Sequence, residues 1–105
     1  MVQIERSQSK RPSLTIVMPC YNEEGVLIKS IPVVLHQLEL LIEGNKITNE
    51  SQILLVDDGS KDRTWLEIES LAEQYQMIKG LKLARNFGHQ NAVYAGMMFV
   101  LHTLK

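Results

Sequence analysis

The chain has 105 residues, 45% of them hydrophobic and 22% charged, with a formal net charge of −1. That is enough for one small domain with a single core, too little for two, and globular rather than disordered in composition. Near-neutral charge with no block of one sign argues against a nucleic-acid partner. The single cysteine, Cys20, rules out an internal disulfide and fits a reducing compartment. No charged segment followed by an apolar one opens the chain, so no signal peptide is read, and no apolar run approaches the roughly 20 residues of a membrane span. A cytoplasmic chain is expected.

Residues 1–13 are polar, with little to bury, and read as a flexible leader. Leu14-Thr15-Ile16-Val17-Met18 predicts a first strand, stopped by Pro19. Asn22 follows as an N-cap, with Glu23 and Glu24 suited to the positive end of a helix. Pro32 predicts an interruption: a short turn over 23–29, then a second helical piece from near Ser30 to about Glu43. Gly44-Asn45 closes it with residues that tolerate a left-handed backbone. Ile53-Leu54-Leu55-Val56 is apolar without alternation, as a strand buried on both faces would be. It runs straight into Asp57-Asp58-Gly59-Ser60. A second helix is expected from near Asp62, with Trp65, Ile68, Leu71, Ala72 and Tyr75 facing inward. Residues 81–84 predict a third strand, and Gln90 to about His102 a last helix. That helix is apolar nearly all round, so it should be buried on several sides.

The fold class read from this is α/β, a three-layer α/β/α arrangement with parallel β-α-β-α-β-α order. Right-handed crossovers would bring three loops to one edge of the sheet, where open α/β sheets bind ligands. The first loop carries Pro19, Tyr21, Asn22 and Glu23. The second carries Asp57, Asp58, Gly59 and Ser60, and the third Arg85, Asn86, Gly88 and His89. An aromatic ring can stack on a base, a carboxylate can accept from a base N–H or a ribose hydroxyl, and an arginine fork can bind phosphate. The plainer reading makes Asp57 and Asp58 turn formers, Gly59 a positive-φ residue, and Ser60 or Asp62 a helix cap. Cys20 reads as a small packing residue rather than a nucleophile, and His36 and His102 as surface or packing residues.

Three segments decide between these readings. Pro19-Cys20-Tyr21-Asn22-Glu23-Glu24, Val56-Asp57-Asp58-Gly59-Ser60-Lys61-Asp62-Arg63-Thr64 and Arg85-Asn86-Phe87-Gly88-His89-Gln90 closely resemble the three leading motifs of family 2 glycosyltransferases. The likeness is greatest to the subgroup that uses polyprenyl phosphates such as dolichol or undecaprenyl phosphate. It covers residues 14–101, with the motifs in the right order and spacing.

The resemblance implies the nucleotide-binding, Rossmann-like half of a GT-A fold over residues 14–105. It implies that Pro19, Tyr21 and Glu23 surround a nucleoside, that Asp58 with Asp57 binds base or ribose, and that Arg85 lies near the nucleotide. Asn22, Gly59, Ser60, Asn86, Gly88 and His89 would shape the loops. The donor would be a nucleotide diphosphate sugar, with uridine favoured over guanosine, and the acceptor a lipid phosphate or glycan. Mg²⁺ or Mn²⁺ would assist departure of the diphosphate. The family's Asp-x-Asp metal motif is not found before Lys105, so no metal ligand is assigned, and the chain is expected to be an N-terminal portion with its catalytic groups beyond Lys105. Its parent is expected at the cytoplasmic face of a membrane, and the isolated portion is expected to self-associate through the apolar last helix. Two alternatives stand beside this reading. One is a nucleotide-binding module without transfer activity. The other, a flavodoxin-like receiver, lacks the later strand that would carry its phosphoacceptor.

Overall fold

The computed structural model describes residues 2–6 and 11–103. Its elements run β1 (Val2–Arg6), β2 (Ser13–Cys20), α1 (Leu27–Glu43), β3 (Gln52–Asp57), α2 (Thr64–Gln74), β4 (Ile78–Lys82) and α3 (His89–Thr103). One sheet takes the order β1-β2-β3-β4, with β2, β3 and β4 parallel and β1 antiparallel at the edge. The expected β-α-β-α-β-α core is present, preceded by one strand.

That strand corrects the reading of residues 1–13 as a flexible leader. Val2-Gln3-Ile4-Glu5 alternates apolar with polar residues, the pattern of a half-covered strand, and the outer edge of β2 offers it unpaired backbone groups. The register runs from Val2 opposite Val17 to Arg6 opposite Ser13. Residues 7–10 of the expected leader lie outside the described residues. Pro19 does not stop the strand either, for β2 continues to Cys20 with Pro19 opposite Val56. Pairing with β1 is recorded only as far as Val17, so the missing N–H of Pro19 falls where the outer edge needs no donor.

The run Ile53-Leu54-Leu55-Val56 sends successive side chains to opposite faces, and all four are buried. Ile53 and Leu55 join Ile16, Leu27, Ile31 and Ile68 beneath α1 and α2. Leu54 and Val56 join Val17, Ala92 and Val100 beneath α3. The three layers follow from that alternation.

Two helices depart from expectation. First, α1 is continuous from Leu27, with Pro32 inside it. A proline there removes the bond that would end on the Ile28 carbonyl, at a cost of about 3 kcal/mol. Leu27, Ile31, Leu35 and Leu38 lie buried on the same helix, and each such side chain contributes about 1.5–3 kcal/mol on burial. Packing therefore outweighs the proline. The helix also begins later than expected, so Glu23 and Glu24 lie in the preceding loop. At its far end Asn45 does take the left-handed backbone, with φ of 59°.

Second, α3 is covered on one narrow stripe only. Ala92, Gly96 and Val100, spaced four apart, face the sheet, while Tyr94 is 63% and Leu101 54% exposed. The expected burial on several sides is not found within the described residues. The covered stripe is tight: a Cβ on Gly96 would lie 2.7 Å from Val17 Cγ1 and 2.8 Å from Val56 Cγ2. Glycine is what allows α3 to seat on the sheet. Among the described residues, no helix is long and apolar enough to cross a membrane.

Candidate functional site

The carboxyl ends of β2, β3 and β4 open into loops that meet at one edge of the sheet. The join starts in the backbone: Asp58 N–H donates to the Cys20 carbonyl at 2.8 Å and Leu83 N–H to the Asp57 carbonyl at 2.9 Å. Both lie just past the strands' paired residues and hold the loop bases in register.

The first two loops are then fastened by side chains. Four successive backbone N–H groups, those of Asn22, Glu23, Glu24 and Gly25, donate to Ser60 Oγ (2.9 Å), Thr64 Oγ1 (2.8 Å), Asp62 Oδ2 (3.2 Å) and Glu67 Oε2 (2.7 Å). Two bonds run the other way, from Lys61 N–H to Asn22 Oδ1 (2.9 Å) and from Arg63 N–H to Glu24 Oε1 (3.2 Å). Asn22 is therefore not the helix cap expected of it. It sits at φ of 49° and bridges to the second loop, a backbone state that asparagine tolerates better than most residues. Thr64 and Glu67 stand three apart in the first turn of α2, the spacing of a capping box. That pattern was the signal available in the sequence, and here both side chains serve the neighbouring loop instead of their own helix.

The third loop is held by Asp58 and Gly59. Asp58 Oδ1 accepts from Phe87 N–H at 2.8 Å. Gly59, at φ of 70°, lies so close that a Cβ there would come within 2.3 Å of Arg85 C and Asn86 N. The loop secures itself through Gly88 N–H on Asn86 Oδ1 (3.0 Å) and Asn91 Nδ2 on the Phe87 carbonyl (2.8 Å).

The residues expected at the site thus share one edge but not one environment. Tyr21, Asn22, Arg85, Asn86 and His89 are exposed, and Pro19, Glu23, Gly59, Ser60 and Gly88 partly so. Asp57 is fully buried and Asp58 is 2% exposed. Asp57 Oδ1 accepts from Ser60 N–H at 3.1 Å, and its Oδ2 is buried with no partner. Asp57 and Asp58 both hold backbone at this edge, as the turn-forming reading expects.

Among the described residues, Asp62 and Cys20 are shifted from their ordinary values. The Asp62 carboxyl is lowered, chiefly by the Thr64 hydroxyl. Its contribution to stability is present above the unfolded value of 3.8 and is lost as the pH falls through the lower folded value. Burial pushes the Cys20 thiol from 9.0 up to about 12, with Glu23 and Asp57 adding like-charge repulsion. A nucleophilic role is thereby disfavoured. Native Cys20 is expected to resist a thiol reagent at pH 8 and to react fully once the chain is unfolded in urea. Because the unfolded thiol ionises first, stability should hold below about pH 9 and decline towards pH 12. Rapid labelling of the native chain would contradict both statements.

At this edge one oxygen each of Asp57, Asp58 and Glu24 accepts from a backbone N–H, and no group of three or more His, Cys, Asp or Glu among the described residues could hold a metal ion. The residues present do not fit one.

With this geometry in hand, the likeness to known proteins becomes specific. Residues 15–102 match the family described as Glycosyl transferase family 2. The chain belongs to that family. It is 46% identical over 90 residues to the glycosyltransferase YkoT of Bacillus subtilis, covering 86% of this chain and 27% of that protein. It is 40% identical over 84 residues to the glycosyltransferase sll0501 of Synechocystis, covering 80% of this chain and 24% of that one. It is 36% identical over 84 residues to an undecaprenyl-phosphate 4-deoxy-4-formamido-L-arabinose transferase of Photorhabdus laumondii, covering 79% and 24%. The chain spans about a quarter of the length of the curated relatives it matches.

Proposed function

We propose that residues 14–105 form the donor-nucleotide part of a glycosyltransferase that moves a sugar from a nucleotide diphosphate sugar, UDP favoured, to a polyprenyl phosphate or saccharide. The observation that carries this reading is the fastening of three polar loops at the carboxyl ends of parallel strands, with an aromatic, carboxylates and a guanidinium at one edge. Such an edge is where α/β sheets bind ligands. Membership of the family and likeness to a transferase named for undecaprenyl phosphate support the reaction class.

In this reading Tyr21 stacks on the base, Asp58 accepts from base or ribose beside Asp57, and Pro19 and Glu23 line the nucleoside. Arg85 donates to the nucleotide. Asn22, Gly59, Ser60, Asn86, Gly88 and His89 keep the loops in shape. Mg²⁺ or Mn²⁺, implied by the family, would neutralise the departing diphosphate and would take its ligands from residues other than these. The whole enzyme would act at the cytoplasmic face of a membrane. Isolated, the chain would associate with itself through the exposed side of α3, and a clean monomer at high concentration in sedimentation would remove that part of the reading.

A nucleotide-binding module without transfer activity is the second reading, favoured by the lack of a metal-holding group among the described residues. Calorimetric titration with UDP and with GDP, each with and without Mg²⁺, tests the shared step. Saturable binding of one nucleotide is expected, with little dependence on Mg²⁺. Binding of neither would sink the donor-site proposal. Sugar transfer to a lipid phosphate by this chain alone would exclude the second reading.

A further inference from the structure

Phe87, absent from the expected site residues, pairs its exposed ring with the exposed guanidinium of Arg85. Arg85 Cζ stands over the Phe87 ring, 4.8 Å from its centroid. Phe87 is 43% exposed, yet its backbone is fixed at both ends, N–H on Asp58 Oδ1 and carbonyl on Asn91 Nδ2. Arg85 itself is backed by Gly59, whose missing Cβ leaves room for the Arg85 backbone. Among the described residues Arg85 makes no salt bridge, and its guanidinium stands on the Phe87 ring. An apolar ring held rigidly in water gains nothing for the core, and a five-donor guanidinium otherwise samples many rotamers.

The geometry points to Phe87 as a positioning residue: its ring holds the Arg85 guanidinium at the loop edge, so that the donors are already aimed at acceptor oxygens of the bound nucleotide. This rests on the donor-site reading above and adds to it a residue and a reason. The attraction between cation and ring face fixes the guanidinium without consuming its N–H groups. A salt bridge to a carboxylate would consume them. Asp58, which anchors the same loop, has Oδ1 engaged by the Phe87 N–H, and the guanidinium keeps its donors for a ligand.

The test is a double-mutant cycle on nucleotide affinity, using Phe87→Leu, Arg85→Ala and the double variant, with UDP, GDP and uridine as probes. Phe87→Leu keeps both main-chain bonds, and its thermal melting should be unchanged. It is expected to weaken binding by about threefold to tenfold, the scale of ordering one side chain on binding. Phe87→Tyr should restore it. The double variant should bind no more weakly than Arg85→Ala alone, because the ring acts through the arginine. Additive losses, or no loss for Phe87→Leu, would overturn the inference. A loss seen with UDP but not uridine would place the acceptor oxygens on the diphosphate, and an equal loss with both would place them on the nucleoside.

A second readout needs no ligand. Nitrogen relaxation of the Arg85 Nε–H should report an ordered group in the free chain and a mobile one in Phe87→Leu. A mobile group in the unaltered chain would overturn the inference even if nucleotide binds. An ordered group in a chain that binds no nucleotide would overturn the donor-site reading, and the positioning role with it.

Discussion

Gly59→Ala is expected to destabilise the domain by about 2–5 kcal/mol, as the sum of left-handed backbone strain and an overpacked contact. The backbone at Gly59 has φ of 70°, and the added methyl would meet main-chain atoms of Arg85 and Asn86 at 2.3 Å. Main chain cannot rotate aside as a side chain can, so the third loop must move. The nearest restraint it would break is the bond from Phe87 N–H to Asp58 Oδ1. Gly25 supplies the control: it too is left-handed, with φ of 82°, but a Cβ there meets nothing within 4 Å. Gly25→Ala should cost about 1–2 kcal/mol from backbone strain alone. Urea denaturation of both variants separates the two causes. Equal losses would mean that the second and third loops are not in close contact at Gly59.

Asp58→Ala should have the larger effect on binding. Asp58 is 2% exposed, and one of its oxygens anchors Phe87 N–H. Alanine leaves that N–H without its acceptor, which costs about 1–3 kcal/mol of stability. It also removes the carboxylate proposed to accept from the nucleotide, a loss of about tenfold to a hundredfold in affinity for a charged hydrogen bond. Asp58→Asn distinguishes the two duties. Its single carbonyl oxygen can still take the Phe87 N–H, so stability should stay near that of the unaltered chain. No second acceptor then remains, so nucleotide affinity should still fall by about tenfold. Full affinity in Asp58→Asn would confine Asp58 to holding the loop.

Much of the scaffold was legible in the residues because burial is periodic. The apolar run at Ile53–Val56 reads as a strand covered on both faces, and the loops that follow each strand then share an edge. The parts that were missed depend on partners distant in the chain. Asn22 has the composition of a cap, yet its acceptor bond comes from Lys61. Glu67 looks like an ordinary wet position of α2, yet it reaches Gly25. Pro32 carries a local penalty that only the buried faces of Ile31, Leu35 and Leu38 outweigh. The strand at Val2–Arg6 is too short and polar to announce itself without the open edge of β2. For α3, apolarity all round was read correctly as composition, but which side would be covered was set by Gly96, the one position where the sheet can come close.

The four consecutive amides from Asn22 to Gly25 have a kinetic meaning. Their acceptors all come from the segment that opens α2, so the first loop cannot loosen one residue at a time. Either the whole set is engaged or the loop parts from α2 as a block, a coupling characteristic of a cooperative unit rather than a mobile flap. A small molecule arriving at this edge meets a wall already standing. A nucleotide bound as proposed would not wait for that wall to close, and the speed of its association would be left to diffusion and to charge.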